Sequence, residues 1–531
     1  MSGLFHKIAQ TARTVRYLKP VQITNRLWRQ IKPVSRVVEA PAVSVLPSAP
    51  LASFIRRPPS IMGSADFLFL NERRTLAYPE GWNAALASKL WLYNLHYFEG
   101  LLCVETPADI KRDVVEQWLQ DNPPDHGTGW EPYPLSLRTI NWIKWALSGG
   151  TLGVEALNSL ALQAEYLSRS LEYHLLGNHL FANAKALVFA GCFFEGRRAR
   201  RWLEKGLKIL RQQIPEQFLS DGAHFELSTT YHALLLEDML DIIHMLRAAS
   251  VPVPSEWEGV AQKGINWLAI MTRPDGLPPL FNDAAYGITP TFAELVEYAE
   301  RLGFTGPEAP TVGMHDLPDS GYFRYEGNGY SLFGDIGGIG PDYIPGHGHC
   351  DMLNFEFFAH GKPVVVDTGT STYEANALRL KERGTAAHNT VQVGILEQSE
   401  IWAAFRVGRR ARIIDRALLP HSAAGAHNGF KKAAGVVHHR TFSFQPDRIT
   451  IKDELQGAGQ SQGVARLHFH PEIDPELADG GIKAGKVQFS FTGAHDIRLE
   501  TYEYAPEFNK RVTAKVAVIP FTHTLECHIF P

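Results

Sequence analysis

Cysteine is scarce. Cys103, Cys192, Cys350 and Cys527 are the four in 531 residues, and they lie far apart. They form no CxxC pair and no disulfide framework, so reduced or buried thiols are expected. Long hydrophobic runs are missing as well: no segment approaches the ~20 apolar residues that span a bilayer. The opening stretch, MSGLFHKIAQTARTVRYLKPVQITNRLWRQIKP, is basic and weakly amphipathic. It lacks the continuous apolar core of ~7–15 residues that a standard secretory signal carries. A cytoplasmic protein is therefore expected, with a periplasmic location or export by another route as the alternative. Neither charge sign dominates, with 52 Lys and Arg against 56 Asp and Glu and a formal net charge of −4. The global basic field of a nucleic-acid binder is absent, and an anionic ligand would need a local basic cleft. Oligomeric state is not legible in any of these features.

What is present divides the chain in two. Residues 35–65 are rich in Pro, Ala, Ser and Val, as expected of a linker or a chain wrapped over a surface. From about residue 80 to 305, apolar residues recur at spacings of three and four, with Gly, Pro or Asp-Gly between the runs. Eight to ten short-linked helices are expected, either as a solenoid or closed into an α/α toroid. After residue 320 the period drops to two in stretches such as YSLFGDIG, KPVVVDTG and ARLHFHPEI. The expected fold is α+β and multidomain: an incomplete α/α toroid followed by an antiparallel β-sandwich. The expected boundaries are 1–65 for the basic extension and linker, 66–315 for the toroid and 316–531 for the sandwich. Ligand sites favour such domain interfaces.

Four constellations carry chemistry. In GNHLFANAKAL, Asn178 and His179 stand where a helix begins, either as a cap with a neighbouring imidazole or as an amide donor to an anionic ligand. In DGAHFELSTTYHALLLEDML, Tyr231 opens an apolar helix, and Glu226 and Ser228 precede it in capping positions. In GHGHCDMLNFEFF, strand spacing would place His347, His349 and Asp351 on one face. Asp367 and His388 sit at the ends of the strands that follow. Imidazole and carboxylate together suit zinc or a similar divalent ion, and a hydrogen-bonded polar cluster is the plainer alternative. In GWEPYPLSLRTINWIKW, Trp130, Tyr133 and Arg138 mix sugar-stacking faces with a carboxylate- or sulfate-pairing cation. An aromatic helix core accounts for Trp142 and Trp145 equally well.

In their order along the chain, GNHLFANAKAL, STTYHALLLEDML and the GHGHCDMLNFEFF, VVVDTG and HNTVQV series resemble the heparinase II/III-like polysaccharide lyases. The resemblance covers most of residues 80–400. It implies the toroid and sandwich expected above, and β-elimination at a uronic acid of an anionic polysaccharide. It implies a catalytic set of Asn178, neutralising the substrate carboxylate, His179 beside it, Tyr231 as acid and potentially base, and His347 from the β-domain. It further implies a structural divalent metal, usually zinc, on His349, Asp367 and His388. Arg138, with Trp130 and Tyr133, would line a subsite, and Glu226 and Arg383 would be neighbours. A tyrosine can serve as both acid and base where its pKa is lowered locally.

Three rivals remain at this level. His347-x-His349-x-Asp351 partly spells a metallo-hydrolase motif, but Met352 stands where that motif has a histidine. A glycan-binding or exopolysaccharide-assembly protein could keep the fold without the chemistry. A glycosidase would need two cleft carboxylates, for which Glu226 and Asp283 are the only options noted.

Overall fold

The computed structural model describes residues 2–31, 41, 44, 45, 52–457, 462–478 and 480–531. Most of the first half of the expected linker therefore lies outside the described residues. From residue 52 the chain is wrapped against the surface of the fold and is not a free linker. Phe54 and Ile55 are buried, and Arg57 forms an ion pair with the buried Glu237 at 2.7 Å. A three-stranded antiparallel meander follows, with strands Ile61–Gly63, Asp66–Phe69 and Glu72–Thr75.

Nine α-helices run from Lys89–Tyr97 to Phe292–Arg301. Gly177–Phe193 is central among them, apolar on nearly every side and buried along almost its whole length. It crosses Arg197–Gln217 at close range because two glycines permit it. A Cβ on Gly206 would stand 2.7 Å from the Ala184 carbonyl, and one on Gly191 would meet Leu203 at 2.6 Å.

The C-terminal part is built from antiparallel sheets. Five strands from Gly313–Leu317 to Lys362–Val365 pair in sequence order. A second sheet of eleven strands is organised on Lys510–Phe530, a 21-residue strand that pairs with four neighbours along its length. The five-stranded sheet is apolar on both faces. Tyr322, Phe333 and Phe358 join the helical core, whereas Phe323, Leu332 and Phe357 join the core shared with the large sheet. Alternation along the strands produces this division, and it makes the small sheet the middle layer between the two cores.

The GHGHCD segment is not a strand, contrary to expectation. Residues 346–354 form a loop before the strand Phe355–Ala359, and Leu353 takes a positive φ of 64°. Its glycines and its tight fit against the residue 282–283 loop override the period-two pattern: the His349 N–H donates to Asn282 Oδ1 at 2.8 Å. All four cysteines are free and buried, and burial pushes the Cys350 thiol up to about 12.

Candidate active site

Asp283, in the loop after the helix Ser255–Ile270, organises the site. Its Oδ2 accepts from His347 Nδ1 at 2.9 Å and its Oδ1 accepts from His349 Nε2 at 2.8 Å. Arg379, on the short helix Ala377–Glu382, grips the same carboxylate with both terminal nitrogens at 2.5 and 2.6 Å. Burial alone would raise the Asp283 carboxyl, but Arg379 and the two imidazoles hold it well below the usual range. An ionised, doubly clamped carboxylate thus sets the orientation of His347. Strand spacing placed the two histidines together, and a shared carboxylate is what brings them together in the fold.

Tyr231 lies on His347 with ring centroids 3.9 Å apart, and its hydroxyl is 3.3 Å from that of Tyr373. The Ser228 side chain caps the Thr229–Ala248 helix by accepting the Tyr231 N–H, which aims this tyrosine into the cleft. Its phenol is not lowered, as base chemistry would require. Burial, then Tyr373, pushes it well above its ordinary value. Phe405 closes this side, 5.8 Å from His347 and 5.2 Å from Tyr373.

Asn178 and His179 are near neighbours of Glu226, which is also in contact with His347. Asn178 does not cap its helix: Leu176 is the N-cap residue, and its side chain makes no cap hydrogen bond. Among the described residues the Asn178 carboxamide has no hydrogen-bond partner, although the residue is only 6% exposed. His179 Nδ1 meets Glu172 Oε1 at 3.2 Å, and its ring lies 4.4 Å from Tyr133. Burial lowers the His179 pKa, but Glu172 more than offsets this, and the net shift is upward. The Glu226 Oε2 is 3.4 Å from His347 Nε2, and its Oε1 lies so close to Gly177 that a Cβ there would stand 2.8 Å away. Among the described residues neither Glu226 oxygen has a well-formed hydrogen bond, and burial raises this carboxyl against the pull of His347 and of the nearby Asn178 N–H.

Three expected substrate contacts are core residues. Trp130 donates its indole N–H to the Asn122 carbonyl and stacks on Trp118. Arg138 is fully buried, bonded to Gln163 at 3.0 Å and stacked 4.0 Å over Trp118. Arg383 is also fully buried and donates to the Gly348 and Ala404 carbonyls, so it braces the histidine loop and does not face a ligand. Tyr133 and Glu226 do lie beside these residues, against His179 and His347 respectively. Sequence reasoning named Asp283 only as a possible glycosidase carboxylate and missed its pairing with Arg379, and it did not single out Tyr373 or Glu172. Arg379 lies on the short helix and Arg383 is its C-cap four residues on, and spacing alone does not say which of them reaches the carboxylate.

His349, Asp367 and His388 lie together but do not converge on one point. His388 Nδ1 bonds Asp367 Oδ2 at 2.7 Å while His349 faces Asp283, and the two imidazole centroids are 5.3 Å apart. Among the described residues, no group of three or more His, Cys, Asp or Glu side chains is arranged to hold a metal. The chemistry of the set nevertheless fits one, because His349 Nδ1 and His388 Nε2 are both buried without a partner. Burial pushes the His349 pKa down to about 3, which keeps the imidazole in its neutral, ligating form.

Comparisons with known proteins agree with this architecture. Residues 150–300 match the family described as heparinase II/III N-terminus, and residues 309–527 match heparinase II/III-like, C-terminal. A heparin-sulfate lyase of Bacteroides thetaiotaomicron is 25% identical over 333 residues, which are 53% of this chain and 47% of that relative. A second, from Pedobacter heparinus, is 26% identical over 45% of this chain and 39% of its own length. The matches thus span half or less of the curated relatives. The crystal structure of heparinase III superimposes with a TM-score of 0.70 at 19% identity, covering 86% of this chain and 80% of that one. On the two family matches, the chain belongs to the heparinase II/III-like family.

Proposed function

We propose that the protein is a polysaccharide lyase. Its substrate would be a uronic-acid-containing glycan, glycosaminoglycan-like or a bacterial exopolysaccharide, cleaved by β-elimination. One observation carries the reading: Tyr231 lies on His347, whose orientation is set by an arginine-clamped carboxylate, near an unpartnered amide at Asn178. The relatives named heparin-sulfate lyase support the substrate class.

The C5 proton of a uronate is weakly acidic, and its removal places charge on the adjacent carboxylate. The Asn178 carboxamide and a cationic His179 would bind that carboxylate. His347, with Nδ1–H directed at Asp283, would take the C5 proton on Nε2. The C5–H electrons form the C4=C5 double bond as the C4–O bond breaks. Tyr231, whose phenol stays protonated, would deliver its proton to the leaving oxygen. Exchange with solvent after product release would then remove the proton from His347 and restore the one given by Tyr231. Opposite environments divide the labour between the two histidines: Glu172 favours the charged form of His179, and Asp283 fixes the orientation of His347.

Two further readings accompany this one. The nine helices would form an incomplete α/α toroid, with the catalytic unit at 66–315 and a sandwich at 316–531. A divalent metal, zinc by family resemblance, would be held by His349, Asp367 and His388. When bound, it would supply a structural tie between the histidine loop and the strand ends.

Incubation with hyaluronan, chondroitin sulfates, heparin, heparan sulfate, alginate and an exopolysaccharide tests the proposal. A rise in ultraviolet absorbance from the new C4=C5 bond is expected with at least one. New reducing ends without that absorbance would show hydrolysis and overturn the elimination reading.

A further inference from the structure

The first two helices have no part in the chemistry above, and their amphipathic pattern is turned inside out. Ser2–Val15 is fastened to the sheet region: Arg13 pairs with Glu400 through two contacts of 2.7 and 2.5 Å, and the Trp402 indole donates to Thr14 Oγ1 at 3.1 Å. Pro20–Ile31 is fastened to the helical region, where Gln22 donates to the Leu175 carbonyl at 3.3 Å, Lys19 pairs with Glu216 and Arg29 meets His174. On this second helix the polar row Gln22, Asn25 and Arg29 faces the protein. The opposite row, Ile23, Leu27 and Ile31, faces solvent with exposures of 39, 54 and 78%, and Trp28 beside it is 57% exposed. A helix that simply packs on a globular surface does the reverse. The first helix repeats the pattern with Ile8 and Val15 exposed.

Charge identifies what the face meets. The first 38 residues contain Lys7, Arg13, Arg16, Lys19, Arg26, Arg29, Lys32 and Arg36 and no acidic residue, although the chain as a whole carries −4. Lys7, Arg16 and Arg26 are exposed and pair with no carboxylate among the described residues. A second copy of this chain is a poor occupant, since it would set one acid-free arm against another. No described helix is long and apolar enough to cross a membrane. Exposed apolar rows flanked by uncompensated cations match a surface that lies in the headgroup region of an anionic bilayer. We propose that Pro20–Ile31, assisted by Ser2–Val15, is a peripheral docking face for a membrane bearing anionic lipid. Ile23, Leu27 and Ile31 enter the headgroup layer, and Lys7, Arg16 and Arg26 meet lipid phosphates.

Co-sedimentation of the full chain with phosphatidylcholine vesicles, with and without phosphatidylglycerol, tests this. Binding is expected only to the anionic vesicles, weakening as salt is raised. The Leu27→Ser/Ile31→Ser double variant should bind roughly tenfold or more weakly. Arg26→Glu, a single surface change, should also bind less. Both variants should keep the wild-type circular dichroism and melting temperature, because the altered side chains are exposed. The inference is overturned if the wild-type chain stays in solution with anionic vesicles at low salt, or if the double variant binds as well as wild type. It is equally overturned if ultracentrifugation shows a dimer, or a complex with an acidic protein, that the double variant breaks while vesicle binding is unchanged.

Discussion

Burial and the Tyr373 hydroxyl 3.3 Å away favour the protonated Tyr231 phenol, which is the form the proposed role of proton donor needs. Tyr231→Phe should therefore lower turnover by roughly a hundredfold or more while substrate still binds. Near-normal turnover in that variant would remove Tyr231 from the mechanism. His179 makes a second, independent test. Its pKa is raised by Glu172, so the cation proposed to bind the substrate carboxylate is fully present at low pH and is lost as pH rises through the raised value. KM should climb across that range in the wild type, and the climb should flatten in His179→Gln with kcat less affected. An unchanged pH profile of KM in His179→Gln would assign the carboxylate contact elsewhere.

The helix Gly177–Phe193 delivers Asn178 and His179 only because its first residue is glycine. Gly177 has φ +55°, and a side chain there would press on Glu226 and Ile344. Gly177→Ala should cost about 1–3 kcal/mol in chemical denaturation, and it should lower activity by displacing Glu226. Wild-type stability with wild-type activity would show that the close approach is unimportant. The histidine loop 346–354 depends on a different support. His388→Ala should reduce bound divalent metal, measured by elemental analysis, and lower the melting temperature. A metal-replete variant of unchanged stability would refute the ligand assignment.

The cleft lies where helical and sheet regions meet, and the contact across it is ionic as well as apolar. Arg379 reaches Asp283 from one side to the other, and Arg273 reaches Glu356 at 3.2 Å. Removing one member of such a pair leaves a buried charge uncompensated. Arg379→Ala should thus cost about 3–5 kcal/mol and abolish activity with it, since His347 loses its fixed partner. Calorimetry should show the loss of stability, and a variant that melts like the wild type would mean that Asp283 is neutral in the fold.

Periodicity in the chain led to an expectation of eight to ten helices before a run of antiparallel strands, and nine lie between Lys89 and Arg301, because burial of an apolar stripe or face is a local pattern repeated at fixed spacing. The resemblance carried by GNHLF, STTYH and GHGHCD pointed to Asn178, His179, Tyr231 and His347, which the fold gathers around Glu226 and the Tyr231–His347 stack. Local pattern could not tell a loop from a strand at 346–354, where contacts with residues 282 and 283 decide the path. Nor could it separate the buried Arg138, Arg383 and Trp130 from cleft residues, because their types suit sugar contacts and core packing equally. Asp283 and Arg379 are 96 residues apart and meet only when the helical and sheet regions dock. Composition and period act along the chain, whereas the pairing of buried charges depends on which distant segments share the same low-dielectric space, and folding alone establishes that.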